Sequence, residues 1–342
     1  MKNTIKTFAL FLTAGAMLAS CDSYLDRQPD EPLTSDNIFK KQKTTLQYLT
    51  NIYSYQPDYE APACVSNSND IPWEACSDET SFAYLDRSYT QINYNSWNPS
   101  LHIYRDDTYN TPYKGIREAN YFMQHVHECP ELTDTDKGYY YNEARFLRAH
   151  FYAMMLPVYG PVFLIGDDPV DFTQSGLDQR ERNTWDECVN YVANELWEAA
   201  KGLPDSWPDI YYGRATKGAA LAARARLLLY SARKLFNGNE LYKGIVNRNG
   251  DHLFPTQYDE KKWELAAQAA KDVMNLNLYS LVGADGTDPY ASFNTLFTSV
   301  GSGTGATEKI YTRIASGYQW RIVTTPPSVG GTAYGGYGVT QK

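Results

Sequence analysis

Apolar residues recur at three- and four-residue spacing along much of the chain, and that period predicts a mainly α protein. Leu46, Leu49 and Ile52 or Tyr53 share one face of a helix over 44–55. A second helix starts at Thr111-Pro112, with the proline at its first position, and carries Tyr113, Ile116, Asn120, Met123 and His127 on one side. The stretch 140–158 is apolar on several faces, with Phe146, Leu147, Phe151, Met154 and Met155, so it belongs at the centre of a bundle. Gly160-Pro161 ends it. Thr184-x-x-Glu187 is a capping box that opens a helix running to Ala200. Thr216 caps the next, KGAALAARARLLLYSARKLF, and Asp259 caps EKKWELAAQAAKDVMN. In that last helix Trp263, Ala266, Ala267, Ala270 and Val273 are expected to point inward. Helix pairs with small residues at the contact and one large aromatic have the texture of TPR-like stacking. The 34-residue TPR consensus is not met, so the pairs are degenerate repeats.

Between the helices the period fails in two long stretches, 58–110 and 283–342. Both are polar and aromatic, and the second is rich in Gly, Ser, Thr and Tyr. Loops of such length inside a compact protein are commonly functional, and their tryptophans set them apart from disordered tails. The whole sequence holds 29 Tyr and 7 Trp against 13 Phe. Tyrosine pairs a flat apolar face with a hydroxyl tip, which suits half-wet surfaces that bind something polar and flat.

The N-terminus changes the picture from fold to location. Lys2 and Lys6, a short apolar core and small residues at Ala19 and Ser20 make a secretory signal over 1–20. Its core is too short to span a bilayer. Leu18-Ala19-Ser20-Cys21 is the pattern of a bacterial lipoprotein signal, in which the Cys21 thiol takes the lipid; a secreted protein with a chance cysteine is the alternative. Several acyl chains on one cysteine anchor a protein, since each buried methylene contributes about 0.8 kcal/mol. Cleavage removes two lysines and no acid from a chain of net charge −9, leaving a mature body that nucleic acid and anionic lipid would repel. No second apolar stretch reaches membrane-spanning length.

Four cysteines remain after Cys21. Cys64 with Cys76 would close a short loop, and Cys188 shares a helical face with Val192, Leu196 and Ala199, as a buried thiol does. No disulfide pairing is preferred. The chain has no CxxC and no HExxH, and His125 and His127 lie on different sides of a helix, so no metal or cofactor is expected.

Taken in order, CDSYLDRQPDEPL, ACSDE, PYKGIREANYF, NEARFLRAHFYAMMLPVYGPVFLI and ATKGAALAARARLLLYSA resemble the SusD-like (RagB/SusD) family of Bacteroidota lipoproteins. The likeness runs from Cys21 to about Ala270 and continues in ATEKIYTR and GGYG. The resemblance implies one large domain of TPR-like helical pairs with long irregular, partly β insertions. It implies a signal peptide over 1–20, a lipidated acidic tether over 21–38, a helical body over 39–282 with an insertion at 58–110, and an irregular glycan-site segment over 283–342. It further implies a non-enzymatic, surface-exposed outer-membrane lipoprotein that binds oligosaccharide or polysaccharide and passes it to a SusC-like TonB-dependent transporter. Family chains normally continue well beyond a segment like GGYGVTQK, so a chain truncated at the C-terminus is expected.

Sugar recognition needs aromatic faces for the apolar side of a pyranose and planar polar groups for its hydroxyls. NYNSWNPS offers Tyr94, Asn95, Trp97 and Asn98; Trp73 and Asp78 lie in the same stretch, and Tyr318, Trp320 and Arg321 in the later one. The resemblance carries over best to Trp97 and Trp320; the alternative is that these aromatics pin long loops to the helices. Asp78 and Glu79 could form the carboxylate pair of an all-helical glycoside hydrolase, but adjacent residues point apart and are better explained by loop hydrogen bonds. Glu143 and Arg148 are expected in ion pairs or loop contacts, Asn120 as a cap or bridge, and His150 in the core. GSGTGATEK lacks phosphate-loop spacing and reads as a connection. A TPR-type scaffold for a peptide of another protein is the remaining alternative.

Overall fold

Three of the helices begin where a threonine side chain supplies an acceptor for the free N–H groups of the first turn. A computed structural model describes residues 35–56, 77–82, 94–96, 98, 108–167, 180–286, 288–299, 306–314, 326 and 337–339. Helices α1 (Ser35–Ile38) and α2 (Gln42–Ser54) precede a short strand, β1 (Thr80–Phe82). Helices α3 (Asn110–His125), α4 (Asp134–Tyr159), α5 (Trp185–Gly202), α6 (Lys217–Ala232) and α7 (Lys261–Met274) follow, then α8 (Pro289–Thr298) and β2 (Tyr337–Val339). The Thr133, Thr184 and Thr216 side chains cap α4, α5 and α6, and at α5 the Glu187 carboxylate returns to the Thr184 N–H to complete the box.

Each helix from α3 to α7 packs on the next, and α2 lies against α3 and α4. This sequential stacking is the mainly α, TPR-like arrangement that the period predicts. Helix α4 is central. It buries Phe146, Leu147, Phe151, Tyr152, Met155 and Leu156, which lie on more than one face. Gly160 ends it at φ 69°, a left-handed conformation that favours glycine. At the far end of the core Trp185 is fully buried, stacks on Phe236 at 4.2 Å and donates from Nε1 to Ser231.

Three local expectations need correction. Pro112 is the third residue of α3, which starts at Asn110. Helix α3 ends at His125 and tightens into a 3-10 turn over Val126–Glu128, so His127 leaves the apolar face and is exposed. Helix α7 buries only Ala266 and Ala269; Ala267 and Ala270 are exposed, Trp263 is 41% exposed and Val273 is half-buried. Its main packing partner is α6, so a narrow stripe suffices. Asp259 still serves the start of α7, accepting from the Lys261 N–H, but from one residue further out.

Candidate functional site

The two irregular stretches meet in the structure. Strand β1, from the early stretch, pairs antiparallel with β2, from the end of the later one, in the register Thr80↔Val339, Ser81↔Gly338 and Phe82↔Tyr337. Asp78 and Glu79 are exposed in the bend that leads into β1. Tyr94 and Asn95 form an exposed turn, with Asn95 at φ 54° and the Tyr94 ring 64% exposed; Asn98 is exposed just beyond. Trp73, Trp97, Tyr318, Trp320, Arg321 and Cys21 lie outside the described residues, as do Cys64 and Cys76. The structure thus joins the backbones of the two stretches and presents Tyr94, Asn95 and Asn98 to solvent.

Helix α4 carries two ionic clusters. Glu143 and Arg148 do not pair with each other; five residues apart on one helix, they reach different neighbours. Glu143 is fully buried and takes a two-pronged contact from Arg214, whose Nε lies 2.8 Å from Oε2. The Tyr53 hydroxyl of α2 donates to the same carboxylate at 2.6 Å and accepts from the Ala215 N–H at 2.8 Å. Burial pushes the Glu143 carboxyl above its usual range, opposed by Arg214 and the Tyr53 hydrogen bond. The Arg214 guanidinium also lies over Trp207, Tyr140 and Tyr211, at 4.2 to 4.9 Å from the ring centres.

Arg148, also buried, donates to Glu195 at 2.5 Å and to the Asn120 side-chain oxygen at 2.7 Å, and pairs with Asp167. Arg145 adds a second fork onto Glu195, and Asn120 donates to the Gly166 carbonyl. Burial works against the Glu195 carboxylate, but the two arginines outweigh it and hold its pKa below the usual range. Asn120 is therefore a bridge, tying the segment after α4 to α3. His150 packs in the core, stacked on Phe146 and edge-on to Tyr311.

A cleft of about 370 Å³ opens between α2, the α5–α6 connection and the segment 311–314. Leu46, Tyr53, Gln56, Tyr211, Arg214 and Arg313 are among its walls. Gln56 is held by a hydrogen bond from its amide to the Tyr311 hydroxyl, and Tyr212 by one with Thr312. Sequence reading did not single out Tyr53, Arg214 or Tyr211 as a group. The signal was present only as an arginine just before the ATKGAA motif and a tyrosine inside ATEKIYTR.

Asp78 and Glu79 are exposed, whereas a general acid for glycoside cleavage is normally a desolvated carboxyl. The buried carboxylates Glu143 and Glu195 are both committed to arginines. Among the described residues no three His, Cys, Asp or Glu side chains converge as metal ligands. Cys129 and Cys188 are buried free thiols, and burial pushes the Cys188 thiol up to about 11.

No curated protein matches the sequence. Among solved structures, the protein BT4246 is 27% identical and superposes with a TM-score of 0.62, over 75% of this chain and 43% of that one. A SusD-like protein from Bacteroides fragilis is 23% identical, TM-score 0.56, over 76% and 42%. A SusD superfamily protein from Parabacteroides distasonis is 21% identical, TM-score 0.53, over 70% and 46%. The latter two show the fold alone, and this chain spans less than half the length of all three. The family described as starch-binding associating with outer membrane matches residues 23–229. That match covers more than half of the chain and includes α2 to α5, so the chain belongs to the SusD-like family.

Proposed function

We propose that this protein is a glycan-binding lipoprotein of the outer membrane that captures oligosaccharides and passes them to a SusC-like TonB-dependent transporter. The family match over 23–229 is the observation that carries this reading. Cys21 takes the lipid, and the acidic, proline-broken segment 21–38 serves as the tether. Capture is by stacking and hydrogen bonding with no bond broken, through Trp97 and Trp320 first, with Trp73, Tyr94, Asn95, Asn98, Asp78, Tyr318 and Arg321 around them. The joining of the two irregular stretches through β1 and β2 supports a shared site. Affinity is modest, because an open, wet surface must order a flexible ligand.

A glycan array on the purified protein, repeated with Trp97→Ala and Trp320→Ala, tests the reading. Retention of at least one glycan, weakened about tenfold or more in each variant, is expected from the loss of an aromatic stacking face, typically 1–3 kcal/mol. Retention unchanged in both variants would remove these residues from the site. Product formation from the bound glycan, lost in Asp78→Ala, would replace a binding protein with a hydrolase. Lipidation is read separately: palmitate incorporation is expected in the native protein and absent in Cys21→Ser.

A further inference from the structure

The walls of the cleft between α2, the α5–α6 connection and the segment 311–314 are fixed by contacts of their own. Gly213, at φ 91°, lets the connection run hard against that segment. A Cβ added there would lie 3.0 Å from the Ile314 side chain and 3.1 Å from the Thr312 carbonyl oxygen. The Tyr212 hydroxyl and the Thr312 side chain share a hydrogen bond across the same seam. On the inner side Arg214 ties the connection to Glu143 of α4 and lies 4.9 Å from the Tyr211 ring centre. A pre-formed site spends less of its binding energy on ordering. The volume of about 370 Å³ lies in the range of small-ligand sites, roughly 300–1,000 Å³.

The lining divides into ring faces and hydrogen-bond acceptors. Tyr211 is 39% exposed. The Tyr53 hydroxyl is used on both sides by Glu143 and the Ala215 N–H, so Tyr53 offers the cleft its ring. Thr50 and Ser54, one turn apart on α2, are exposed and spend their hydroxyl protons on the Leu46 and Asn51 carbonyls, at 2.8 and 2.6 Å. Their oxygens are left to accept. The Gln56 amide nitrogen donates to the Tyr311 hydroxyl, and its side-chain oxygen is a further acceptor. Among the described residues no aspartate or glutamate lines the cleft. Of its two arginines, Arg214 is neutralised by Glu143 and Arg313 has a partner of its own, so the contacts fall to neutral groups. Ring faces beside acceptor oxygens match a ligand with an apolar face and several O–H donors. A carboxylate would meet those oxygens unfavourably, and an ammonium group would meet the Arg214 charge.

We propose that this cleft is a second saccharide subsite, on the helical body, for a neutral pyranose unit whose apolar face lies against Tyr211 and whose hydroxyls donate to Thr50 and Ser54. The proposal rests on the glycan-binding reading above and adds to it a contact point away from the two irregular stretches.

Titration calorimetry with maltotriose, cellotriose and laminaritriose tests it, with trigalacturonate as the charged comparison. The proteins are the native chain, Tyr211→Ala, Tyr211→Phe, the double variant Thr50→Val with Ser54→Ala, and Trp97→Ala. Tyr211, Thr50 and Ser54 are exposed, and far-UV circular dichroism confirms that each variant is folded. At least one neutral trisaccharide is expected to bind the native protein, about tenfold more weakly in Tyr211→Ala and about fivefold more weakly in the double variant. Tyr211→Phe, which keeps the ring, should bind as the native protein does. If either Tyr211→Ala or the double variant binds every neutral trisaccharide within twofold of the native protein, the subsite is wrong. Binding lost in Trp97→Ala would in that case leave the glycan-binding reading standing. Trigalacturonate bound more tightly than all three neutral sugars would overturn the ligand class. If no neutral trisaccharide binds, the subsite is overturned, and the glycan array then decides the broader reading by itself.

Discussion

At the scale of single residues, the most consequential side chains are charges buried by the stack. Arg214 and Glu143 neutralise each other where water cannot, and breaking such a pair costs about 3–5 kcal/mol because one charge is left unpaired. Arg214→Ala is therefore expected to lower unfolding free energy by about that amount in urea denaturation. Replacing both partners, as Glu143→Gln with Arg214→Met, should recover part of the loss; a double variant no more stable than Arg214→Ala would show that the pair is not the cause. His150 sets a second expectation. Its Nδ1 is buried without a hydrogen-bond partner among the described residues, and burial first, then the Arg226 charge, lower its pKa from 6.5 to about 4. Between those values the unfolded chain binds the proton and the folded one does not, so this group costs stability as pH falls from about 6.5 to 4. Glu143, with its carboxyl pushed up, acts in the opposite direction over overlapping pH. The contrast with His150→Phe isolates the imidazole: unfolding free energy measured at pH 7 and pH 5 should fall less in the variant. Equal slopes would remove His150 as the source.

At the scale of elements, caps and close approaches explain why these helices start and pack as they do. Thr184 and Glu187 close the first turn of α5 through contacts only three residues apart, so the box could be read directly from the sequence. The approach of α3 to α4 could not. Gly115 faces Phe151 so closely that an added Cβ would lie 2.5 Å from its ring, and 2.9 Å from the Tyr55 Cβ. Helix propensity alone says Gly115→Ala should stabilise by about 1 kcal/mol. Overpacking costs about 1–3 kcal/mol and is expected to win, lowering the thermal midpoint. A raised midpoint would mean that the two helices separate without cost. Helix α7 shows the limit of the period. Its alanines and Trp263 fit an inward face by spacing, but spacing does not say how many neighbours a helix has, and α7 packs mainly on α6.

At the scale of the whole molecule, the helical stack is what holds the irregular segments in place. Arg148, Asn120 and Asp167 fasten the segment after α4, Arg214 and Tyr53 fasten the α5–α6 connection, and β1 with β2 joins the early insertion to the end of the chain. The motifs that resemble the family fall mostly on helices; PYKGIREANYF and NEARFLRAHFYAMM lie on α3 and α4, whose Asn120, Glu143 and Arg148 are buried polar residues. The candidate sugar contacts rest on composition and resemblance. Tyr94, Asn95, Asn98 and Asp78 are exposed in the structure.

The sequence by itself determined the order of the main helices, the starts of α5 and α6, the central place of α4 and the burial of Cys188. Those properties follow from periodicity, capping residues and apolar content within a few positions of one another. Only the tertiary structure decided which charges pair. Glu143 meets Arg214 across 71 residues, Arg145 meets Glu195 across 50, and the Tyr53 hydroxyl receives the Ala215 N–H across 162. No local pattern encodes such distances, because the partners become neighbours only once the helices have stacked. The cleft with Arg313 at its edge belongs to the same class: its walls come from three separate parts of the chain.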